Sequence, residues 1–337
     1  MEIKDYRLQI DKIDKELIAL LEERFDVAKS IAAYKHEHGL PILDKEREAE
    51  KIDALRDACE DEKEKYLEQI FRTIMQESRR YQATIGPEYG VLGRKLPYSF
   101  SPMLHEAFGS YEYDIIEKEP EELVDYLNAK SFKGINVTIP YKKAAAPLCD
   151  VLSDIARDTG SVNTIVVDEE GRLVGENTDY YGFNYALGRE GIEPAGRKCL
   201  VLGSGGASAT VCKALYEAGA SDIVVISRSG SDNYGNLDRH ADAEIIVNAT
   251  PVGTYPDVDE APLDITQFPK LEAVFDLVYN PLKTKLVLDA EHAGVKACSG
   301  LSMLVAQGAK ASELFTGRKV SENEIENVIR RIEDGEE

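Results

Sequence analysis

Arg24 and Lys35 stand where a helix face meant for burial would be apolar. Between Tyr6 and His36, Ile10, Ile13, Leu17, Leu20, Leu21, Val27, Ala28 and Ile31 recur every three or four positions, the period of one buried face. Arg24 and Lys35 fall inside that stripe, and Arg7 lies one turn before Ile10, at its edge. A cation withdrawn from water costs free energy unless an anion or dense hydrogen bonding compensates. One inward arginine is usually a snorkelling or paired side chain. A helix that aims cations inward repeatedly predicts an anionic ligand. Two further stretches share the pattern. Asp44, Glu48, Ile52, Leu55 and Cys59 follow one another at helical steps, with Arg47 beside them. Leu67, Ile70, Phe71 and Ile74 continue into Ser78 and Gln82, so a hydroxyl and an amide extend an apolar face.

A second chemistry is written further along. The β-type run Lys198–Leu202 enters Gly203-Ser204-Gly205-Gly206-Ala207-Ser208. Such a turn lets the backbone approach a pyrophosphate and aims a helix N-terminus at it. Ser208 stands where the dinucleotide fingerprint has its third glycine, but the strand before and helix after support the reading. The next β-type run, Asp222–Ser227, ends in Ser227-Arg228-Ser229. An NAD site would have a carboxylate there for the ribose hydroxyls. An arginine between two hydroxyls suits a 2′-phosphate, which predicts NADP.

Two regions of different texture must position these groups. Residues 1–82 are charge-dense and lack β-rich runs; the periodicity predicts helices over about 4–37, 44–60 and 62–82, with Gly39 and Pro41 breaking the first from the second. A first helix of that length cannot bury its face alone, so partner helices or a second chain are implied. Residues 83–88 read as a linker. Beyond it, β-type runs at Gly90–Leu92, Gly134–Ile139, Asn163–Val167, Lys198–Leu202, Asp222–Ser227, Ile245–Asn248 and Ala273–Asp276 alternate with helical stretches. That alternation predicts parallel α/β architecture.

Composition removes several classes of function. The 337 residues are 43% hydrophobic, ordinary for a globular chain, and carry a formal net charge of −22. Nucleic acid is an improbable partner for so acidic a protein. No signal segment and no membrane-length apolar run are expected. The five cysteines are scattered and odd in number without a CxxC pair, and the five histidines lack ligand spacing. A disulfide framework and a metal site are therefore not expected, and a cytoplasmic setting is.

Residues 5–82 resemble an all-helical chorismate mutase. The likeness is carried by Arg7, Asp14-Lys15-Glu16-Leu17, Glu23-Arg24, Lys35, Asp44-Lys45-Glu46-Arg47-Glu48, Ser78 and Gln82. It implies an intertwined helical homodimer whose pocket holds the two carboxylates of chorismate. By resemblance, Arg7 is donated by the partner chain, Arg24 and Arg47 bind carboxylates, and Asp44 and Glu48 hold the substrate hydroxyl. Ser78 supports binding, while Lys35 and Gln82 hydrogen-bond the ether oxygen. The rearrangement to prephenate is pericyclic and needs no nucleophile, metal or proton transfer. It needs a held conformer and donors at the breaking ether bond. Because residue 82 is Gln, it donates without first being protonated, and mutase activity should change little from neutral to mildly alkaline pH.

Residues 89–330 resemble shikimate dehydrogenase. The carriers are Tyr98-Ser99-Phe100-Ser101-Pro102 with His105, Asn136-Val137-Thr138-Ile139-Pro140-Tyr141-Lys142, Gly160-Ser161-Val162-Asn163-Thr164 and Gly175-Glu176-Asn177-Thr178-Asp179. They continue through the glycine-rich turn, Asn248-Ala249-Thr250-Pro251-Val252-Gly253, Tyr279-Asn280-Pro281 and the run from Gly300 to Gly308. The resemblance implies that Ser99 and Ser101 bind the substrate carboxylate near Tyr279, and that Thr138, Asn163 and Gln307 hold its hydroxyls. Lys142 and Asp179 are then the catalytic pair. Gly203 to Ala207 cradle the coenzyme phosphates, Ser227, Arg228 and Ser229 meet the 2′-phosphate, and Asn248, Thr250, Val252, Gly300 and Met303 line the nicotinamide pocket. Residues 89–187 with 300–337 would form the substrate-binding domain, and 188–299 a Rossmann domain for NADP. Arg94-Lys95-Leu96-Pro97-Tyr98 departs from the Gly-Asn-Pro-type run usual before the first serine.

The leading expectation is a bifunctional enzyme of aromatic amino-acid biosynthesis. It converts chorismate to prephenate and reduces 3-dehydroshikimate to shikimate with NADPH. The two reactions are not consecutive, so channelling between them is not implied. Two alternatives stay open: a helical region that only dimerises or regulates a dehydrogenase, and quinate in place of shikimate.

Overall fold

The structure, a computed structural model, describes residues 2–38, 44–59, 62–83, 88–97, 99–109 and 111–335. Gly39 and Pro41, most of the expected linker and Tyr98 lie outside the described residues. The chain divides into two compact units, Met1–Glu88 with Lys118–Phe132, and Tyr89–Glu117 with Lys133–Glu337.

The first unit opens with α1 (Ile3–Glu37), α2 (Lys45–Ala58) and α3 (Glu64–Ala83), close to the periodicity-based expectation. Both α1 and α2 pack on α3, with Ala28, Ala32, Ile52, Met75, Ser78 and Gln82 buried. The apolar stripe of α1 is only partly covered. Ala28 is buried and Leu21 half-buried, but Ile10, Ile13, Leu17, Leu20, Val27 and Ile31 remain 44–64% exposed. The reason is length: α1 reaches about 50 Å, α3 about 30 Å and α2 about 20 Å at the rise of an α-helix.

The second unit follows the order β1 (Tyr89–Gly93), α4 (Ser101–Phe108), β2 (Asp114–Glu117), β3 (Gly134–Val137), with α5 (Leu123–Ala129) of the first unit intervening in sequence. Then come α6 (Lys142–Ala145), β4 (Val151–Leu152), α7 (Asp154–Thr159), β5 (Thr164–Val167), β6 (Leu173–Glu176) and α8 (Thr178–Glu190). A second run holds β7 (Lys198–Leu202), α9 (Gly206–Glu217), β8 (Asp222–Ile226), β9 (Ile245–Asn248), β10 (Ala273–Asp276), α10 (Lys285–His292) and β11 (Lys296–Cys298). The helices α11 (Leu301–Thr316) and α12 (Glu322–Glu333) close the chain.

Two sheets result. The first has the order β2-β1-β3-β5-β6-β4, and the second β11-β10-β9-β7-β8. The second is wholly parallel, as the strand–helix alternation predicts. The first corrects that expectation, because β5 runs antiparallel to both β3 and β6. The short link from β5 to β6 leaves no room for the crossover a parallel pair requires.

The second sheet is buried on both faces. From β7, Cys199 and Val201 join a cluster with Phe183, Leu187, Val211 and Leu215, while Leu200 and Leu202 join Ile246, Val274, Leu286 and Ala290 on the other side. A third cluster, with Leu104, Phe108, Val305, Ala309, Ile325 and Ile329, binds α4, α11 and α12 together. Helices α8 and α11 approach especially closely at Gly182, where a Cβ would sit 2.5 Å from the Met303 carbonyl oxygen and 2.9 Å from the Gln307 Cβ. Among the described residues no helix is long and apolar enough to cross a membrane.

Candidate functional site

In the second unit, the ends of β3 and β5 and the helices α4, α6, α8 and α11 deliver polar groups to one cavity of about 560 Å³. The segment after β3 carries Thr138 and leads to Lys142 at the first position of α6. Asn163 immediately precedes β5. Asp179 sits in the first turn of α8, where the helix dipole favours a carboxylate. Gln307 projects from α11, and Ser99 and Ser101 lie at the entry to α4, with the Ser101 amide donating to Ser99 Oγ (3.3 Å).

These groups form one network. Lys142 Nζ donates to Asp179 Oδ2 at 2.6 Å, with side chains 19% and 8% exposed. The Asn163 amide nitrogen donates to Asp179 Oδ1 (2.9 Å) and Thr178 Oγ1 (3.0 Å), and lies 3.4 Å from Gln307 Oε1. Asn163 Oδ1 in turn accepts from the Thr178 amide (2.7 Å). Asn177 caps α8 and ties it to Ser161 and Thr210. The ammonium is thus held by a carboxylate that is itself oriented by an amide.

All eight residues expected around the substrate line this cavity: Ser99, Ser101, Thr138, Lys142, Asn163, Asp179, Tyr279 and Gln307. Of the expected coenzyme contacts, Ala207, Thr250, Gly300 and Met303 do so as well. Asn248 does not. It is buried behind the wall, its Oδ1 taking the Thr250 amide (3.0 Å) and hydroxyl (2.6 Å), and so it shapes the turn rather than lining it. Val252 also lies outside the lining, as do Gly203–Gly206 and Ser227–Ser229.

The glycine-rich turn lies between β7 and β9, where strand order reverses and open α/β sheets bind ligands. Gly203 has φ +106°, left-handed backbone that favours glycine, and a Cβ there would come within 3.0 Å of the Ala249 carbonyl. Helix α9 begins on Gly205 without a side-chain cap, which leaves its first N–H groups for an anion. Ser227 is half-buried beyond β8, and Arg228 and Ser229 are exposed.

Sequence reading missed several supports. Asn136 lines the cavity, accepts from Tyr113 OH (2.6 Å) and donates to Thr164 Oγ1 (3.0 Å). His105 stacks on Tyr113 at 4.0 Å and meets Tyr111 OH at 2.6 Å; burial pushes its pKa down to about 3, so it stays neutral. Asn136 lies inside a recognised motif, and His105 stands beside another. Their partner Tyr113 carries no sequence signal.

In the helical unit, Arg24 donates to the buried Ser78 hydroxyl, and burial lowers the Arg24 pKa. Glu48 pairs with Arg79, a residue the sequence reading did not single out. Among the described residues, the buried Gln82 Oε1 has no hydrogen-bond partner. Lys35 is half-buried. Three expected ligands are not drawn in: Arg7 is exposed, Asp44 caps α2 through the Arg47 amide (2.9 Å), and Arg47 pairs with exposed Glu50 (2.8 Å). An exposed pair of that kind is worth about 0.5 kcal/mol, so it yields readily to a better anion.

Comparison with known proteins bears on both units. A family model described as chorismate mutase type II matches residues 6–83. The shikimate dehydrogenase substrate-binding domain matches residues 91–165, and the shikimate 5′-dehydrogenase C-terminal domain residues 300–330. The NADP(+) shikimate dehydrogenase of Clostridium perfringens is 34% identical over 265 residues, 72% of this chain and 97% of that one. That of Oleidesulfovibrio alaskensis is 36% identical over 255 residues, 69% and 90% of the two chains. Among solved structures, a chorismate mutase/shikimate 5-dehydrogenase fusion protein from Clostridium acetobutylicum is similar at 33% identity and TM-score 0.70, covering 74% of this chain and 99% of that one. The shikimate 5-dehydrogenase of Thermus thermophilus, in complex with NADP(H) and shikimate, is similar at 36% identity and TM-score 0.65, covering 73% and 99%.

Proposed function

Because the chain belongs to the shikimate dehydrogenase family and carries a type II chorismate mutase domain ahead of it, we infer that one polypeptide holds two enzymes. It interconverts 3-dehydroshikimate and shikimate with NADP, and it rearranges chorismate to prephenate.

The dehydrogenase reading rests on the Lys142–Asp179 pair inside a cavity that also presents Asn163 and Gln307. Reduction leaves negative charge on the substrate carbonyl oxygen. The Lys142 ammonium stabilises that charge and gives up the proton. Asp179 and Asn163 keep the ammonium aimed, while Ser99 and Ser101 hold the substrate carboxylate and Thr138, Asn163 and Gln307 its hydroxyls. Tyr279 closes the carboxylate side. NADP supplies or accepts the hydride when bound. The residues fit it: Gly205 leaves α9 uncapped, Gly203 permits the close turn, and Arg228 is free of burial for a 2′-phosphate. The two sheets support a substrate domain of residues 89–187 with 300–337 and a coenzyme domain of 188–299.

For the mutase, Arg24 with Ser78, the half-buried Lys35 and the unpartnered Gln82 oxygen favour a ligand pocket over a plain dimerisation helix. A second copy of the chain would cover the exposed stripe of α1 and bring Arg7 into its partner's pocket. Arg47, Asp44 and Glu48 would then turn from their present partners to substrate. Both reactions belong in the cytoplasm.

The direct test is to incubate the protein with chorismate, and separately with shikimate and NADP or NAD. Prephenate and NADPH are the expected products; absence of either removes that half. For the dimer, Arg7→Ala and Arg24→Ala chains, each inactive alone, are co-refolded. If Arg7 acts in trans, mixed dimers hold one intact site, and about a quarter of the parent mutase activity returns. No recovery rules out the shared pocket.

A further inference from the structure

Asp276 is a buried carboxylate that the dehydrogenase reading does not use. It ends β10 directly beside Asn248, which ends β9, and the residues that follow the two strands, Ala249–Pro251 and Leu277–Tyr279, line the cavity. Its partners are neutral donors. Oδ1 accepts from Asn248 Nδ2 (2.9 Å) and the Val278 amide (3.0 Å), and Oδ2 accepts from Thr284 Oγ1 (2.6 Å).

We propose that Asp276 is a positioning residue that sets two walls of the dehydrogenase cavity at once, the Thr250–Val252 turn through Asn248 and the approach to Tyr279 through the Val278 amide. The proposal rests on the dehydrogenase reading. An ionised carboxylate can only accept, so it decides which way the neighbouring amide faces. With its NH₂ drawn to Asp276, Asn248 must turn Oδ1 toward Thr250, where it takes both the amide and the hydroxyl. The same NH₂ lies 3.3 Å from the Val252 carbonyl, and Thr250 Oγ1 accepts from the Val252 amide (3.3 Å). The whole turn therefore hangs on one amide orientation. Thr250 and Pro251 line the cavity on one side of the carboxylate, Val278 and Tyr279 on the other.

The energetics argue against a packing role. Burial pushes the Asp276 pKa up to about 6, opposed by its three hydrogen bonds, so at neutral pH the site carries a desolvated charge. An apolar residue would serve a mere core better. A group that costs stability, and whose bonds end at both cavity walls, is explained by what those walls must do.

The test uses the full chain, with steady-state shikimate oxidation and thermal melting of every variant. Asp276→Asn keeps the shape but lets the Asn248 amide turn over. We expect kcat/KM for both shikimate and NADP to fall about tenfold or more, with the melting temperature within a few degrees of the parent. Thr284→Val should lower both in the same direction by less, and Thr284→Ser should restore them, measured well below the melting transition. Thr284 also caps α10 through the Val287 amide, which the serine retains. Parent-like kcat and KM values in a folded Asp276→Asn overturn the proposal. Should that variant fail to fold, full activity in folded Thr284→Val overturns it instead. A parent that does not oxidise shikimate would defeat the dehydrogenase reading, a separate outcome.

Discussion

In the α/β unit, Lys142, Asp179, Asn163 and Gln307 come from four separate segments yet join one hydrogen-bonded network. In the helical unit, Arg24 reaches Ser78, but Arg7 and Arg47 stay at the surface and much of the α1 stripe faces solvent. The difference lies in what each stretch of chain can bury. In the α/β unit, the strand ends of the first sheet and the closely packed α8 and α11 fix these polar groups within one polypeptide. In the helical unit α1 outreaches α2 and α3, and side chains expected to meet chorismate take local partners, as Arg47 does with Glu50. On the reading proposed above, one site is a property of the chain and the other a property of an assembly.

The sharpest way to break this contrast is by separate inactivation. Lys142→Ala should lower kcat for shikimate oxidation by on the order of 10²–10³ with little change in KM, and leave chorismate turnover intact. If only KM moves, Lys142 merely binds. Arg228→Ala comes next: the preference for NADP over NAD should fall about tenfold to a hundredfold, read as the ratio of kcat/KM values. An unchanged ratio would remove Arg228 from the coenzyme site. A third effect is on unfolding. The helical signal should melt at temperatures that rise with protein concentration, while loss of the α/β unit should not depend on it. Concentration-independent melting of both would remove the contrast.

The smallest effect concerns α12 within the self-contained unit. Glu324 closes a capping box with Ser321, and hydrogen bonds from the Ser321 amide, Arg318 and the Ser321 hydroxyl lower its pKa to about 2. A lowered carboxylate pKa stabilises the fold above its ordinary value of 4.5, and that contribution is lost as pH falls toward 2. Glu324→Gln should therefore melt slightly below the parent at neutral pH, with the gap closing in acid. A gap that persists at pH 2 would mean the charge is not its source.

Much of this was legible in the residues. Helix periodicity located α1 to α3, and apolar runs located seven of the strands to within two residues at either end. The strands it missed, β2, β4, β6 and β11, are two to four residues long and hold at most two consecutive apolar residues each. The antiparallel β5 was hidden because strand direction follows from connection length, not from strand composition. The residues that meet around Lys142 and Asp179 were readable because they sit in motifs with fixed spacing. Asp276 and Tyr113 were not, since a buried polar residue reveals its purpose only through partners distant in sequence. The support that Asn248 gives the Thr250 turn was hidden for the same reason, since its motif marks the cavity wall but not the bonds its buried side chain makes. The exposure of the α1 stripe could not be read from periodicity, which marks a face for burial without naming what covers it.

The approach of α8 to α11 at Gly182 has one more consequence. With a helix backbone seated where a side chain would be, neither helix can slide or roll without collision. Asp179, one turn earlier on α8, and Gln307 on α11 therefore keep a fixed separation, like two jaws of a gauge. A change of substrate preference, toward a ring with an added hydroxyl for instance, has to be accommodated in the loops that carry Lys95, Ser99 and Tyr279. The helix pair supplies the ruler, and only the loops are adjustable.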